Sequence, residues 1–506
     1  MTSRQVYVGI SDSAVEALRR QVEGSVLTPD HPGYNQARKG WNLAVEQHPA
    51  AIIVAVSAED VAAGIRFARE QGLGVAVQST GHGIVHAAND AVLIVMSEQN
   101  EVFIDPERQV AYVEAGAVWN QVLVAAHEHG LAPLLGSSPF VGVVGYSLGG
   151  GMGWLARKYG YAADSVRSFM IVTPDGVLRY ASATQNTDLF WGVRGGGGNF
   201  GVVTGIEFAL YPVREIYGGE LMYPVERYGD VLRFFREWTK DLPDEITSSV
   251  TLMNFPPLPQ LPEFLRGKKF VQVKAAYVGS PEQGEAHIQE WLDWATPIHN
   301  TFRVMPFTEV GTISNDPVDP MPSHVANELF NELSDDLIDI IVRYNTDDRA
   351  PWVFAGIRHM GGAMQRADRS ANAVGNRDAQ FVLEIVSSVP SPEALEKVVS
   401  QIARFKAELF PYTSGGNYLN FMAPNEATTR TRDAYMPGTY ERLVALKGTT
   451  WTTCSGTASA YLSARHLKRG ADKPGLNPGN VCDLGEFSLL GRRGGVSARL
   501  HRSACV

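Results

Sequence analysis

Apolar positions in the first two hundred residues fall into short runs, too brief for independent helices and rich in β-branched side chains. Ala51-Ile-Ile-Val-Ala-Val56, Val92-Leu-Ile-Val-Met96, Met170-Ile-Val-Thr173 and Val202-Val-Thr-Gly-Ile-Glu-Phe-Ala-Leu210 predict buried strands, as does Gln109-Val-Ala-Tyr-Val-Glu114. Between them the period lengthens. Ser57, followed by Glu59 and Asp60, predicts a capped helix running through Glu70, and Val118 to His129 carries an amphipathic helical pattern. Asp175-Gly176 marks a hairpin turn directly after a strand. This mixture predicts an α+β domain over residues 1–212, ending near Tyr211-Pro212.

From Val213 the pattern changes. Longer helical stretches (Pro224 to Lys240, Pro281 to Ala295, Ser391 to Phe410) alternate with strands such as Phe270–Tyr277 and Phe381–Val386. Pro224 and Pro281 suit the first turn of a helix, where a missing N–H costs nothing. The expectation is a second domain over 213–413, an antiparallel sheet backed by helices. A segment at 414–447, with Gly415-Gly-Asn-Tyr-Leu-Asn-Phe421 and a helix from Gly438 to Lys447, then returns to the first domain. No internal repeat interrupts this order.

Composition narrows the function classes. With 506 residues, 44% hydrophobic and 19% charged, the chain is long enough for two cores. A net charge of −10 argues against nucleic acid as a partner and against a basic membrane-binding face. No apolar stretch reaches membrane-spanning length and Met1-Thr-Ser-Arg-Gln5 begins no apolar leader, so a cytoplasmic location is expected. All three cysteines (Cys454, Cys482, Cys505) fall in the last 59 residues, a segment with eight Lys+Arg against three Asp+Glu. That tail, 448–506, opposes the acidic body in charge and has a disorder-prone composition.

Three glycine clusters carry the candidate chemistry. In Val77-Gln-Ser-Thr-Gly-His-Gly-Ile-Val-His-Ala-Ala-Asn89, a strand-like run leads into a glycine-flanked turn holding His82. Such a loop brings backbone N–H groups close to a phosphate and an imidazole nitrogen to a bound cofactor. Gly196-Gly-Gly-Asn-Phe-Gly201 has the spacing of a dinucleotide fingerprint but runs into a β-branched strand pattern instead of a helix, and no P-loop lysine is present. Gly145-Tyr-Ser-Leu-Gly149 has the spacing of a hydrolase nucleophile elbow, with Ser147 as nucleophile after the apolar run Phe140–Val144. A serine hydrolase leaves the other two clusters unexplained, and His287, His299, His324, His359, His466 and His501 offer no recognisable triad setting.

Together the clusters resemble the covalent flavin oxidases of the vanillyl-alcohol-oxidase superfamily, specifically the berberine-bridge-enzyme-like branch. Tyr34, Arg38, Trp41 and Asn42 match that family's Tyr-x3-Arg-x2-Trp-Asn motif, and Asp188-Leu-Phe-Trp-Gly-Val-Arg-Gly-Gly-Gly-Gly-Asn-Phe-Gly201 follows its pattern almost letter for letter. The likeness runs from about Tyr34 to Lys447. It implies a two-part PCMH-type FAD-binding domain and a separate substrate domain. It implies FAD bonded through the histidine at His82, bound by Gln78, Ser79, Thr80, Gly81 and Gly83 of the same loop and by Ser137, Gly145, Gly149, Gly150, Gly153, Val203 and Asn420. Bicovalent members use a cysteine where this chain has Ser138, so a single link is expected; the family's usual arginine is replaced by Gln78.

The implied reaction is hydride removal from an alcohol, amine or related carbon centre of a small molecule, with electrons passed to O₂. Tyr418, in the family's Tyr-x-Asn, is the implied base that stands over the flavin; its ordinary pKa near 10 needs help from a cation or the flavin itself. Glu384 is a second candidate, provided strand alternation turns it to the pocket. Tyr146 and Arg358 are candidate pocket residues, and no metal site is expected. Substrate, oligomeric state and oxidase against dehydrogenase activity are left open by the sequence.

The tail departs from the resemblance. Relatives continue after Lys447 with Tyr-Asp-Pro-x-Asn-x-Phe-Arg, where this chain has Gly448-Thr-Thr-Trp-Thr-Thr-Cys-Ser-Gly456. One codon choice for that segment, read two bases later, gives Tyr-Asp-Leu-Asp-Asn-Leu-Phe-Arg. A frameshift near Lys447 is therefore expected, with an inactive remnant of the family as its functional consequence if the closing segment is lost.

Overall fold

The computed structural model describes residues 9–450, so beyond Thr450 the atypical tail and its frameshift reading lie outside the described residues. Strands gather into three sheets. Ser25–Leu27 (β1), Ala51–Val54 (β2), Gly74–Gln78 (β3) and Ala91–Val95 (β4) form the first, in the order β1-β2-β4-β3. β2 and β3 run parallel to β4, and β1 is antiparallel at the edge. Every residue of β4 is buried, which explains its unbroken apolar run. The helix Ala58–Glu70 starts where the sequence places it, with the Ser57 side chain accepting from Asp60 N–H. Asp60 does more than favour a helix start. Its carboxylate accepts the N–H groups of Glu23, Gly24 and Val56 at 2.7–3.0 Å, pinning the chain before β1 to the end of β2.

Val102–Asp105 (β5), Val110–Glu114 (β6), Val166–Val172 (β7), Leu178–Ser182 (β8) and Val202–Ala209 (β9) make an antiparallel sheet ordered β5-β6-β9-β7-β8. The Asp175-Gly176 turn closes β7 on β8, with Thr173 N–H donating to Val177 C=O at 3.0 Å. One apolar core joins these two sheets and the helix Trp119–His127. Leu419, Met422, Ala427, Tyr435 and Leu443 from the C-terminal part of the described chain pack into it.

The third sheet is the largest and wholly antiparallel. Its strands are Glu215–Pro224 (β10), Ile246–Asn254 (β11), Lys269–Tyr277 (β12), His299–Asn300 (β13), Arg303–Pro306 (β14), Ser323–Phe330 (β15), Trp352–His359 (β16) and Phe381–Ser388 (β17). They run β13-β10-β12-β11-β16-β17-β15, with β14 also on β10. Alternation divides its faces. Val250, Val273, Ile357 and Leu383 meet Leu232, Phe235, Trp291, Ile341 and Phe405 from the helices Tyr228–Trp238, Pro281–Trp294, Asp335–Thr346 and Pro392–Leu409. The opposite face carries two cross-strand rows of polar residues, Glu220–Lys274–Ser249–Arg358 and Gln272–Thr251–Gly356–Glu384–Asn327.

The fold is thus α+β: two smaller sheets that share one core, and a large antiparallel sheet backed by helices on one face. Pro281 opens its helix behind the Ser280 cap as expected. Pro224 does not: it ends β10, paired with Phe270, and a single 3₁₀ turn at Val225–Arg227 precedes the helix. Proline fits there because a strand end tolerates the missing N–H. Among the described residues no helix is long and apolar enough to cross a membrane.

Candidate active site

The His82 loop leaves the end of β3 and is held from outside by the segment before β2. Trp41 N–H donates to Thr80 C=O (2.8 Å) and Asn42 N–H to Gly81 C=O (3.1 Å). Gly81 has φ +74° and a Cβ there would strike Gly40, so only glycine lets the two backbones approach. The Trp41 indole stacks on the His82 ring at 4.5 Å, and Nδ1 of His82 lies 2.8 Å from the Thr80 hydroxyl. Nε2 is buried with no hydrogen-bond partner among the described residues. Burial pushes the imidazole pKa down to about 4, against the opposing pull of Asp316, so the ring is neutral at physiological pH. A neutral imidazole with one nitrogen unpartnered is the species that can form a bond to a cofactor.

The other loop residues divide between scaffold and cleft. Gln78 is buried and its amide is engaged on both sides, accepting from Gln47 Nε2 (2.7 Å) and donating to Lys39 C=O (3.0 Å). Arg38 completes this brace through Gln47 C=O, and Tyr34 donates to Pro49 C=O. Ser79 donates to Gly116 C=O at 3.3 Å and packs against Gly142. At Gly83 an added Cβ would meet only open space.

The second glycine cluster faces this loop. Gly145 is exposed and its Cβ position is empty within 4 Å. Gly149 is different: a Cβ would run into the Asn420 amide. A Cβ at Gly150 would come within 3.3 Å of the Tyr418 ring, and Gly153 passes so close to Leu135 C=O that any side chain would collide with backbone. Ser137 and Ser138 are half-buried, and Ser138 Oγ accepts from Phe140 N–H. Tyr418 is 5% exposed, with its hydroxyl accepting from Gly151 N–H at 3.0 Å. Asn420 donates to Tyr146 C=O at 2.9 Å. Burial pushes the Tyr418 phenol well above its ordinary value, and Tyr146 and Tyr161 beside it add to the rise. Tyr146 is likewise pushed up by burial, and its hydroxyl has no partner among the described residues.

The third cluster joins a helix, Thr187–Gly196, to β9, the reverse of the strand-to-helix order that a dinucleotide fingerprint needs. Its glycines serve close packing: Gly195, at φ +100°, lies against the backbone of Val374. Val203, on β9, is buried opposite Ile171.

Between the second cluster and the polar face of the third sheet lies a cavity. Met152, Gly153 and Trp154 line one side, and Thr251, Lys274, Asp316, Arg358 and Glu384 line the other. Alternation turns Glu384 inward, opposite in sense to Leu383 and Ile385. Arg358 grips it with Nε and Nη2 both on Oε2, at 3.1 and 2.6 Å. Burial pushes the Glu384 carboxyl up while Arg358 opposes the rise. Lys274 and Asp316 carry no sequence-level motif; the polar positions Gln272 and Lys274 inside an apolar strand were the available signal.

The site therefore has a histidine with an orphaned nitrogen in a glycine-flanked loop, and a cavity lined by both charged and apolar side chains, a set that fits FAD and a small substrate. Residues 49–182 match the family model of the FAD binding domain. The chain is an FAD-dependent oxidoreductase of the berberine-bridge-enzyme-like fold. This oxidoreductase is 25% identical over 408 residues to an FAD-linked oxidoreductase of Dictyostelium discoideum, covering 79% of the chain and 87% of the relative. It is 33% identical over 234 residues to (R)-6-hydroxynicotine oxidase of Paenarthrobacter nicotinovorans, covering 45% of the chain and 51% of that enzyme. The solved structure of a variant of BBE-like 1 from Physcomitrella patens superposes with a TM-score of 0.77 at 20% identity, over 89% of this chain and 99% of that one, a likeness of fold.

The hydrolase alternative is overturned. Ser147 sits inside the helix Val143–Leu148, 2% exposed, donating to Val143 C=O at 2.8 Å. An elbow needs a strand directly before the serine, and the apolar run Phe140–Val144 forms none.

Proposed function

We propose that this oxidoreductase is an oxidase that carries FAD on a single bond to His82 and oxidises a small molecule at an alcohol, amine or related carbon centre, with O₂ as the final acceptor. The observation that carries the reading is the neutral His82, unpartnered at Nε2 in a glycine-flanked loop beside open space. Ser138 has no thiol to offer a second link. When bound, the flavin supplies the hydride acceptor.

The chain's own residues hold the substrate and its proton. Of the two candidate bases, Glu384 is the better placed. It lines the cavity, Arg358 occupies only one of its oxygens, and a carboxyl raised by burial lies closer to a working pH than a phenol raised far above ten. Tyr418, tied to Gly151 N–H, keeps its proton and offers it as a hydrogen bond, and Asn420 fixes its neighbour Tyr146 from the other side. Met152 and Trp154 close the apolar wall and keep water from the reacting carbon.

Anaerobic mixing with a panel of alcohols and amines tests this. Bleaching of the yellow colour by one of them, with colour and hydrogen peroxide appearing when air is admitted, is the expected outcome. Bleaching that persists in air would make the protein a dehydrogenase.

A further inference from the structure

The cavity wall holds a buried cation that makes no hydrogen bond among the described residues. Lys274 is 5% exposed, midway along β12. Among the described residues its ammonium makes no hydrogen bond and no ion pair, and it lines the cavity. Burying an ammonium whose donors are unsatisfied is costly, and a ligand oxygen in the cavity would satisfy them. Its cross-strand neighbour Glu220 lies outside the cavity lining, 9% exposed, and Gln272 donates to it. Glu220 thus stands behind Lys274 as a counter-charge and leaves the ammonium's donors turned to the cavity.

The row continues. Ser249 pairs with Lys274 on one side and Arg358 on the other. Strands lie about 4.8 Å apart, so the Lys274 and Arg358 backbones are about 10 Å apart with a hydroxyl between them. Arg358 spends Nε and Nη2 on one oxygen of Glu384, and Nη1 makes no hydrogen bond among the described residues. Three donors on three adjacent strands therefore face the same space. Two of them are cations that attract an oxygen, and the opposing carboxylates of the same lining are Glu384, held by Arg358, and Asp316.

We propose that Lys274, with Ser249 and Arg358, determines specificity by donating to oxygen atoms at the end of the substrate remote from the oxidised carbon. The substrate class is then an oxygen-terminated molecule, a carboxylate or a polyol, and not one ending in a basic amine. This rests on the flavin-oxidase reading for which carbon reacts, but Lys274 can be tested apart from it.

Three probes of equal length differ only at one end: 4-hydroxybutyrate, 1,4-butanediol and 4-aminobutanol. Titration of the purified holoprotein, read by flavin absorbance and separately by the thermal unfolding midpoint, gives their affinities. The expected order places one or both oxygen-ended probes at least about tenfold tighter than 4-aminobutanol, the scale of a hydrogen bond from a charged donor. The hydroxybutyrate binding tighter than the diol identifies a carboxylate; equal binding identifies hydroxyl recognition. Lys274→Met should lose about tenfold for these probes at unchanged flavin content, and Lys274→Arg should keep most of the affinity. Tightest binding of 4-aminobutanol, binding of none of the three, or a Lys274→Met protein indistinguishable from the parent overturns the proposal. A colourless parent protein instead counts against the flavin reading, and the thermal titration still reports on Lys274.

Discussion

Gly145 and Gly153 lie eight residues apart in one cluster, yet alanine at each should act in opposite ways. Gly145 sits in the helix Val143–Leu148 with no atom within 4 Å of its Cβ position. Alanine there gains helix propensity of roughly 1 kcal/mol and meets no protein atom. The protein without flavin should unfold at the same temperature or slightly higher. Only a ligand in the cleft would feel the methyl, so flavin content should fall. A Cβ at Gly153 would fall on the carbonyl oxygen of Leu135, with Gly136 Cα 3.2 Å from it. Neither is a mobile side chain, so a methyl must push two backbone segments apart. Overpacking of this kind costs roughly 1–3 kcal/mol and more when backbone must shift, and Met152 and Trp154 on the cavity wall would move with it. Thermal unfolding and flavin per chain, measured on both variants, separate the two effects. A Gly153→Ala protein with parental stability, or a Gly145→Ala protein that is destabilised before flavin is added, would refute the division of this cluster into packing and cleft positions.

Glu384→Gln should lower kcat by about 10²–10⁴ and flatten the acid limb of the kcat/KM profile. Because burial raises this carboxyl, the parental rate should fall as pH drops through a value above the ordinary carboxylate range; an acid limb unchanged in the variant would remove Glu384 as base. Flavin attachment to apoprotein should run at a constant rate from pH 8 down through 6.5, because His82 stays neutral until about 4. A rate halving near 6.5 would place the ring in a more solvated setting. Arg377, 2% exposed, binds both oxygens of Asp164 at 3.1 and 2.6 Å and fastens the segment between β16 and β17 to the FAD-binding part. Arg377→Met should cost about 3–5 kcal/mol by stranding a partly buried carboxylate, read as a lowered denaturation midpoint, whereas a loss below about 1 kcal/mol would make the pair dispensable.

Local requirements were legible in the sequence and long-range ones were not. The His82 loop declared itself because a tight turn demands glycine at fixed positions, and β2 and β4 because burial on both faces leaves an unbroken apolar run. Two strands of the third sheet were harder to see. β11, Ile246-Thr-Ser-Ser-Val-Thr-Leu-Met-Asn254, and β15, Ser323-His-Val-Ala-Asn-Glu-Leu-Phe330, are polar on the cavity face and so lack the run that marks a buried strand. Which way Glu384 points, and that Lys274 shares a row with Arg358, depend on register across strands far apart in sequence. The Tyr34-to-Asn42 motif was recognised, but its work as a brace, with Trp41 stacked on His82 and Asn42 donating to Ser323 C=O, needed the fold. The Gly-x-Ser-x-Gly spacing left a hydrolase alternative open because spacing alone does not say whether a strand precedes it.

The central claim is a covalent bond between FAD and His82. Acid-treated protein on a denaturing gel under ultraviolet light, run beside His82→Ala, tests it most directly. A fluorescent band in the parent that is missing from the variant is the expected result; a parent band that is dark, or a variant that fluoresces equally, contradicts it.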